Sequence, residues 1–311
     1  MTTAFLFPGQ GSQAVGMGKS LAEAFPVARA VFDEVDAALS QKLSAVMWDG
    51  PLDELTLTAN AQPALMAVSL AVIRVLEAEA GLDLKRDAAF VAGHSLGEYS
   101  ALAAAGTFSV ADAARLLRIR GDAMQKAVPP GEGAMAALLG AELDLARAIA
   151  ADSAQGQVCE VANDNGGGQV VLSGAKAAVE RAIALASERG VRRAMLLPVS
   201  APFHCSLMQP AAEAMQAALA QVAMHAPIVP VMANVGAAPL TDPDAIRASL
   251  VAQVTGTVRW RECVEAMTAA GVTRFVEVGS GKVLAGLVKR IAAGATPLSV
   301  GTAEDIAGYK A

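Results

Sequence analysis

Short apolar runs alternate with longer helical periods along this chain, and that rhythm restricts the fold more than any other feature. TAFLF (3–7), AAFVA (88–92), VPVMANV (229–235) and RFVEV (274–278) read as strands, while 64–80, 95–125 and GSGKVLAGLVKRI (279–291) read as helices. Strands separated by helices need crossover connections, so the sheet they build is mostly parallel and covered on both faces. One segment departs from this order. From 134 to 199 the reading is strand AMAALLG, helix ELDLARAIAADSA, strands VCEVAND and QVVLSG, helix AKAAVERAIALASERG, strand RRAMLLPVS. That βαββαβ order is the split unit of a ferredoxin-like fold, and VPPGEG ahead of it has the composition of a linker. The expected organisation is an α/β domain, 1–128 and 200–311, interrupted by a small ferredoxin-like insert, 129–199.

With 311 residues, 54% of them hydrophobic, the chain can bury a large core in one domain or two. A net charge of -6 without runs of like charge argues against a nucleic-acid surface. ALMAVSLAVIRVL is interrupted by Arg74 before it reaches bilayer-spanning length. MTTAFLFPGQG lacks the basic and apolar regions of a secretory signal, so the expectation is a cytoplasmic protein with no membrane partner. Cys159, Cys205 and Cys263 are odd in number and lack metal-ligand spacing, which leads us to expect three buried free thiols and no metal.

Gly93-His94-Ser95-Leu96-Gly97 fits G-x-S-x-G, the strand-to-helix elbow that lifts a serine hydroxyl to the carboxyl edge of a sheet. An apolar strand candidate precedes it and the alanine-rich EYSALAAAG follows, as the motif requires. The competing reading makes Ser95 a helix N-cap. A serine nucleophile needs a base, and the chain has three histidines. His94 adjoins Ser95 and should point away, and His225 lies on a helix-to-strand connector. His204, in VSAPFHCSLM, follows a strand where the chain re-enters the larger domain, which suits either an active-site loop or a core histidine. No acid stands near His204 in sequence, so a carbonyl is an available orienting group.

The helix SVADAARLLRIRGDAMQ opens with a capping box of Ser109 and Asp112. Arg118 falls on its polar edge, whereas Arg120 lies beside Leu116, Leu117, Ala123 and Met124. A guanidinium amid apolar neighbours needs an anion, either an internal Asp or Glu or a substrate carboxylate. FPGQGSQ (7–13) follows the first strand and can offer N–H donors to an oxyanion. GMGKS fails as a phosphate loop because Gln13 stands where the pattern needs glycine. EVGSGKVL reads as a strand-turn-helix that either lines a cofactor tail or simply connects the two elements.

Together FPGQGSQ, GHSLGEYSAL, IRGDAMQ, VSAPFHCSLM and EVGSGKVLAGL, in order over nearly the whole chain, resemble the malonyl-CoA:acyl carrier protein transacylases of bacterial type II fatty-acid synthesis. The resemblance implies an α/β-hydrolase-like large domain with a mostly parallel sheet and an inserted ferredoxin-like domain. It implies Ser95 as nucleophile, His204 as base, the backbone N–H groups of Gln10 and Leu96 as oxyanion hole, and Arg120 as binder of the malonyl carboxylate. Gln253 would orient His204 through its backbone carbonyl. Phe203, Met124 and Asn163 are carried over as substrate-binding residues, with the bulk of Phe203 disfavouring a branched methylmalonyl group. The implied reaction moves malonyl from malonyl-CoA to the phosphopantetheine thiol of acyl carrier protein through a malonyl-serine, by a monomer that needs no cofactor and no metal. Alternatives are a serine esterase or thioesterase, a malonate decarboxylase or polyketide acyltransferase component, and a catalytically silent acyl-binding scaffold.

Overall fold

A computed structural model of the chain describes residues 2–309. The strands in chain order are β1 (Thr3–Phe7), β2 (Phe90–Gly93), β3 (Gly133–Leu139), β4 (Cys159–Asp164), β5 (Gln169–Ala175), β6 (Arg193–Leu196), β7 (Val231–Ala233), β8 (Ala238–Leu240), β9 (Arg274–Val278) and β10 (Thr296–Val300). They form a six-stranded sheet, β10-β9-β1-β2-β7-β8, and a four-stranded sheet, β4-β5-β3-β6. Pairings in the first are parallel except that of β7 with β8. Those in the second are antiparallel throughout. Every residue of β1 is buried, as an unbroken apolar strand in the middle of a doubly covered sheet must be.

The four-stranded sheet is two-sided for the same reason. Ala136, Leu138, Val170 and Leu172 face the helices Leu143–Ala154 and Lys176–Glu188 in a core of their own. The alternate residues Met135 and Val171 join the main core instead. Backbone hydrogen bonds from Val258 to Ala162 and from Asp164 to Val258 stitch this sheet to the rest. All three cysteines are buried and unpaired, as expected.

Three expected elements differ in detail, and the strands β8 and β10 and the helices Lys19–Ala24, Pro26–Leu39 and Pro243–Thr255 had no counterpart in the sequence expectation. VPVMANV supplies only three strand residues, because at Asn234 the chain leaves the sheet and turns its side chain onto the serine elbow. The long helix begins at Thr58, ahead of the expected 64, and carries Pro63 inside it. A proline in the second turn removes a single hydrogen bond, which this length of buried helix tolerates. Among the described residues it is the one helix long and apolar enough to cross a bilayer; here it packs against the helices Pro26–Leu39 and Val110–Lys126. Ser109 does cap the latter, accepting from the Asp112 N–H. The Asp112 carboxylate bonds the Ser109 hydroxyl rather than its N–H, so the expected capping box is half made.

The elbow explains its own glycines. Ser95 takes the left-handed conformation (φ 54°), while Gly93 and Gly97 do not. Those two are needed for close approach: a Cβ on Gly93 would stand 1.9 Å from the Gly97 carbonyl carbon, and one on Gly97 would stand 2.1 Å from the Phe7 carbonyl oxygen. The helix Gly97–Ala104 therefore starts hard against the ends of β1 and β2. Gly97→Ala is expected to cost roughly 3 kcal/mol or more through backbone overlap, measured by urea unfolding; stability within ~0.5 kcal/mol of the unsubstituted chain would contradict this packing.

Candidate active site

The strand-turn-helix at residues 93–97 leaves the Ser95 hydroxyl at the carboxyl edge of the parallel sheet, with its own N–H donating to Asn234 Oδ1 (2.8 Å). His204 arrives from the segment after β6, itself left-handed at φ 58°. Two left-handed side-chain-bearing residues facing one another mark a place where backbone strain is held by the surroundings. Ser95 Oγ and His204 Nε2 are 2.7 Å apart, and His204 Nδ1 lies 2.9 Å from the Gln253 carbonyl oxygen. A carbonyl can only accept, so Nδ1 carries the proton and Nε2 turns its lone pair to the serine hydroxyl. Burial, helped by the neighbouring Arg120 charge, pushes the His204 pKa down to about 3, so the ring is neutral near pH 7.

Arg120 is 1% exposed. It donates to Gln62 Oε1 (2.7 Å), to Gln253 Oε1 (2.9 Å) and to Ser95 Oγ (3.2 Å). Two neutral amides and a hydroxyl solvate the guanidinium without neutralising it. Of the two anions left open by the sequence, the internal one is present only at second hand. Glu98, also 1% exposed, accepts from Gln253 Nε2 (2.8 Å) and the Asn234 N–H (3.0 Å), so the Gln253 amide stands between the carboxylate and the cation. Burial raises the Glu98 pKa to about 7 against the pull of these donors and of Arg120.

Ser95, Arg120 and His204 converge on one cavity of about 500 Å³, the size of an ordinary small-molecule site. Met124 and Phe203 supply apolar wall, and Asn163 enters from β4 where a register slip between Val161 and Asn163 re-aims the strand. Gln10 and Leu96 line the same cavity, and neither backbone N–H has a hydrogen-bond acceptor among the described residues. Gln253 is fully buried behind His204 and does not reach the cavity surface.

The remaining histidines and the glycine turn have partners of their own. His94 turns away from Ser95 to Asn165 Oδ1 (2.9 Å) and packs near Trp260, and His225 is exposed on its connector. The EVGSGKVL turn is a connection: the buried Glu277 carboxylate accepts from Leu284 and Ala285 N–H and so fills the helix start from within. Among the described residues no cluster of three His, Cys, Asp or Glu could hold a metal ion.

Four residues escaped the sequence reading. Gln62 lines the cavity and Thr58 bonds the Gln10 side chain because the helix begins at Thr58, six residues before the expected start. Glu98, in GHSLGE, looks like any first-turn helix acid; only its burial sets it apart. Asn234 carried no local signal.

Residues 4–303 match the acyl transferase domain family. Among curated proteins, malonyl CoA-acyl carrier protein transacylase of Escherichia coli K12 is 48% identical over 288 residues, spanning 93% of this chain and 92% of that one. The crystal structure of an acyl-carrier-protein-S-malonyltransferase from Bartonella henselae is 60% identical with a TM-score of 0.97, covering 99% of this chain and 98% of that one. A malonyl-transacylase solved with its type II PKS acyl-carrier protein is 41% identical at a TM-score of 0.95, covering 99% and 98% respectively. On this breadth of match, the chain belongs to the acyl transferase family and is similar along its length to malonyl-CoA:acyl carrier protein transacylases.

Proposed function

We propose that this acyltransferase moves malonyl from malonyl-CoA to the phosphopantetheine thiol of acyl carrier protein through an ester on Ser95. One observation carries the reading: the hydroxyl within 2.7 Å of a neutral imidazole is also within 3.2 Å of an unneutralised, buried guanidinium. A base beside a nucleophile serves any acyl group, but a buried cation selects one that ends in a carboxylate.

In the first step the Ser95 oxygen attacks the thioester carbonyl as its proton passes to His204 Nε2. The oxyanion is met by the free N–H groups of Gln10 and Leu96. CoA leaves as the thiol, taking the proton back from an imidazolium whose depressed pKa makes it a ready acid. The carrier thiol then repeats the cycle: it gives its proton to His204, attacks the ester, and Ser95 departs as the hydroxyl. The Gln253 carbonyl keeps the ring in the one tautomer that serves both steps. Met124, Asn163 and Phe203 shape the acyl pocket, and Phe203 disfavours a methyl branch by roughly 1–3 kcal/mol. No cofactor is required beyond the two substrates.

The same reading gives an α/β-hydrolase-like domain, 1–128 and 200–311, with a ferredoxin-like insert, 129–199. The antiparallel order β4-β5-β3-β6, with two helices on one face, supports the latter. We take the protein to act as a cytoplasmic monomer.

Mixing the enzyme with malonyl-CoA and holo-acyl carrier protein is expected to give malonyl-carrier product; free malonate alone would instead mark a hydrolase. Arg120→Ala should lower malonyl transfer by about 100-fold, the order of an unpaired buried charge, while acetyl transfer changes less than about five-fold. Equal losses with both acyl groups would remove Arg120 from substrate binding. The low His204 pKa sets the base's share of the pH dependence, which a Glu98→Gln background, free of the Glu98 titration at about 7, isolates. Lowering the His204 pKa below the ordinary imidazole value keeps the base form populated as pH falls, so Ser95 acylation in that background should change less than about three-fold between pH 7.5 and 5. A histidine with an ordinary pKa of about 6.5 would lose about thirty-fold over that range, and such a drop would contradict the site's electrostatics.

A further inference from the structure

Arg120 and Gln10 stand at the two ends of an unbroken chain of hydrogen bonds. Arg120 Nη1 donates to Gln62 Oε1 (2.7 Å), Gln62 Nε2 donates to Thr58 Oγ1 (2.9 Å), and the Thr58 hydroxyl donates to Gln10 Oε1 (2.9 Å). The direction of its first two bonds is forced by chemistry, and the third runs from the Thr58 hydroxyl to the Gln10 carbonyl oxygen. A guanidinium only donates, so the Gln62 atom facing it is the oxygen and the amide nitrogen faces Thr58. Having accepted that bond, the threonine hydroxyl has its single proton to give, and it goes to Gln10.

Thr58 and Gln62 are each 1% exposed, four residues apart on one face of the Thr58–Ala80 helix. They belong to the rigid core of the protein. The loop that carries Gln10 is packed at its base, where Gly9 is buried against the His94 carbonyl, but open at its tip: Gln10 is half-buried, Gly11 is exposed, and the Gly11 N–H closes onto Gln13 Oε1 (2.7 Å) within the loop itself. The bond from Thr58 is the Gln10 side chain's tether to the core helix. It fixes the residue whose backbone N–H lines the cavity without an acceptor among the described residues.

We propose that Thr58 is a positioning residue for the reaction: its hydroxyl anchors the Gln10 side chain to the buried helix and thereby aims the Gln10 N–H at the developing oxyanion. The far end of the chain rests on the cation that binds the acyl carboxylate, so the two donors are set relative to one another through Gln62, which lines the cavity, and Thr58, which does not. This inference rests on the transferase reading for its substrates. Removing the hydroxyl leaves the Gln62 amide nitrogen and the Gln10 carbonyl oxygen each short of a partner, and the loop is free to relax.

Thr58→Val keeps the shape and deletes the hydroxyl, whereas Thr58→Ser keeps the hydroxyl. Single-turnover acylation of Ser95 is followed by CoA release from malonyl-CoA and from acetyl-CoA, with thermal unfolding of each variant measured alongside. T58V is expected to slow the maximal acylation rate about ten- to fifty-fold with both acyl groups, a fraction of the loss seen when an oxyanion donor is removed outright. Its half-saturating malonyl-CoA concentration should stay within about three-fold, and T58S should stay within about three-fold in rate. The proposal is overturned if T58V matches the unsubstituted enzyme. It is also overturned if T58S fails as badly as T58V, or if the loss falls on malonyl alone through weaker saturation, which would place Thr58 in the support of Arg120 only. Should the unsubstituted enzyme release malonate rather than load the carrier, the transfer reading fails, while the acylation rates of the two variants still decide the role of Thr58.

Discussion

One buried amide, that of Gln253, holds the chemistry of this protein in register. Its backbone carbonyl receives the His204 Nδ1 proton, its Oε1 receives Arg120, and its Nε2 donates to Glu98 Oε2 and lies 3.0 Å from the Ser95 carbonyl. The orientation cannot be reversed, since arginine only donates and a carbonyl only accepts. His204, Arg120 and Ser95 are thus referred to a single fully buried residue. Such a network gains from each member that is satisfied: Glu98 and Asn234 take up the Gln253 amide nitrogen, while the Arg120 Nε is left without a partner among the described residues.

This arrangement also accounts for a missing acid. A carboxylate on His204 would raise its pKa and place a negative charge close to the Arg120 guanidinium, which in the proposed reaction attracts the acyl carboxylate. A neutral carbonyl fixes the same tautomer without that charge. The negative group that exists, Glu98, is held one amide away and is itself pushed toward neutrality by burial. The guanidinium therefore keeps most of its field for an anion in the cavity.

The parts of the fold that were legible in the sequence are those written locally. Apolar runs marked the central strands, the βαββαβ order marked the second sheet, and G-x-S-x-G marked the elbow in part because one of its glycines answers to a local contact, Gly93 against Gly97, although Gly97 itself answers to Phe7 ninety positions away. What the sequence could not give is whatever depends on contacts across the chain. The helix was expected from 64, whereas it starts at Thr58, and that difference of six residues concealed Thr58 and Gln62. Asn234 looked like the continuation of a strand, yet its side chain bonds Ser95 and Gly93 well over a hundred positions away. Arg120 was recognisable as misplaced from its helical neighbours alone, but the partners that hold it, Gln62 and Gln253, come from two other helices. Gln253 itself was reachable only through family resemblance, because a backbone carbonyl leaves no mark in side-chain chemistry.

The most direct test is the intact mass of the protein after incubation with malonyl-CoA and no carrier. A rise equal to one malonyl group, mapped to the Ser95 peptide and lost in Ser95→Ala, is the predicted result. An unmodified protein, or an adduct that maps elsewhere and survives the substitution, would contradict the assignment of this hydroxyl as the acyl acceptor.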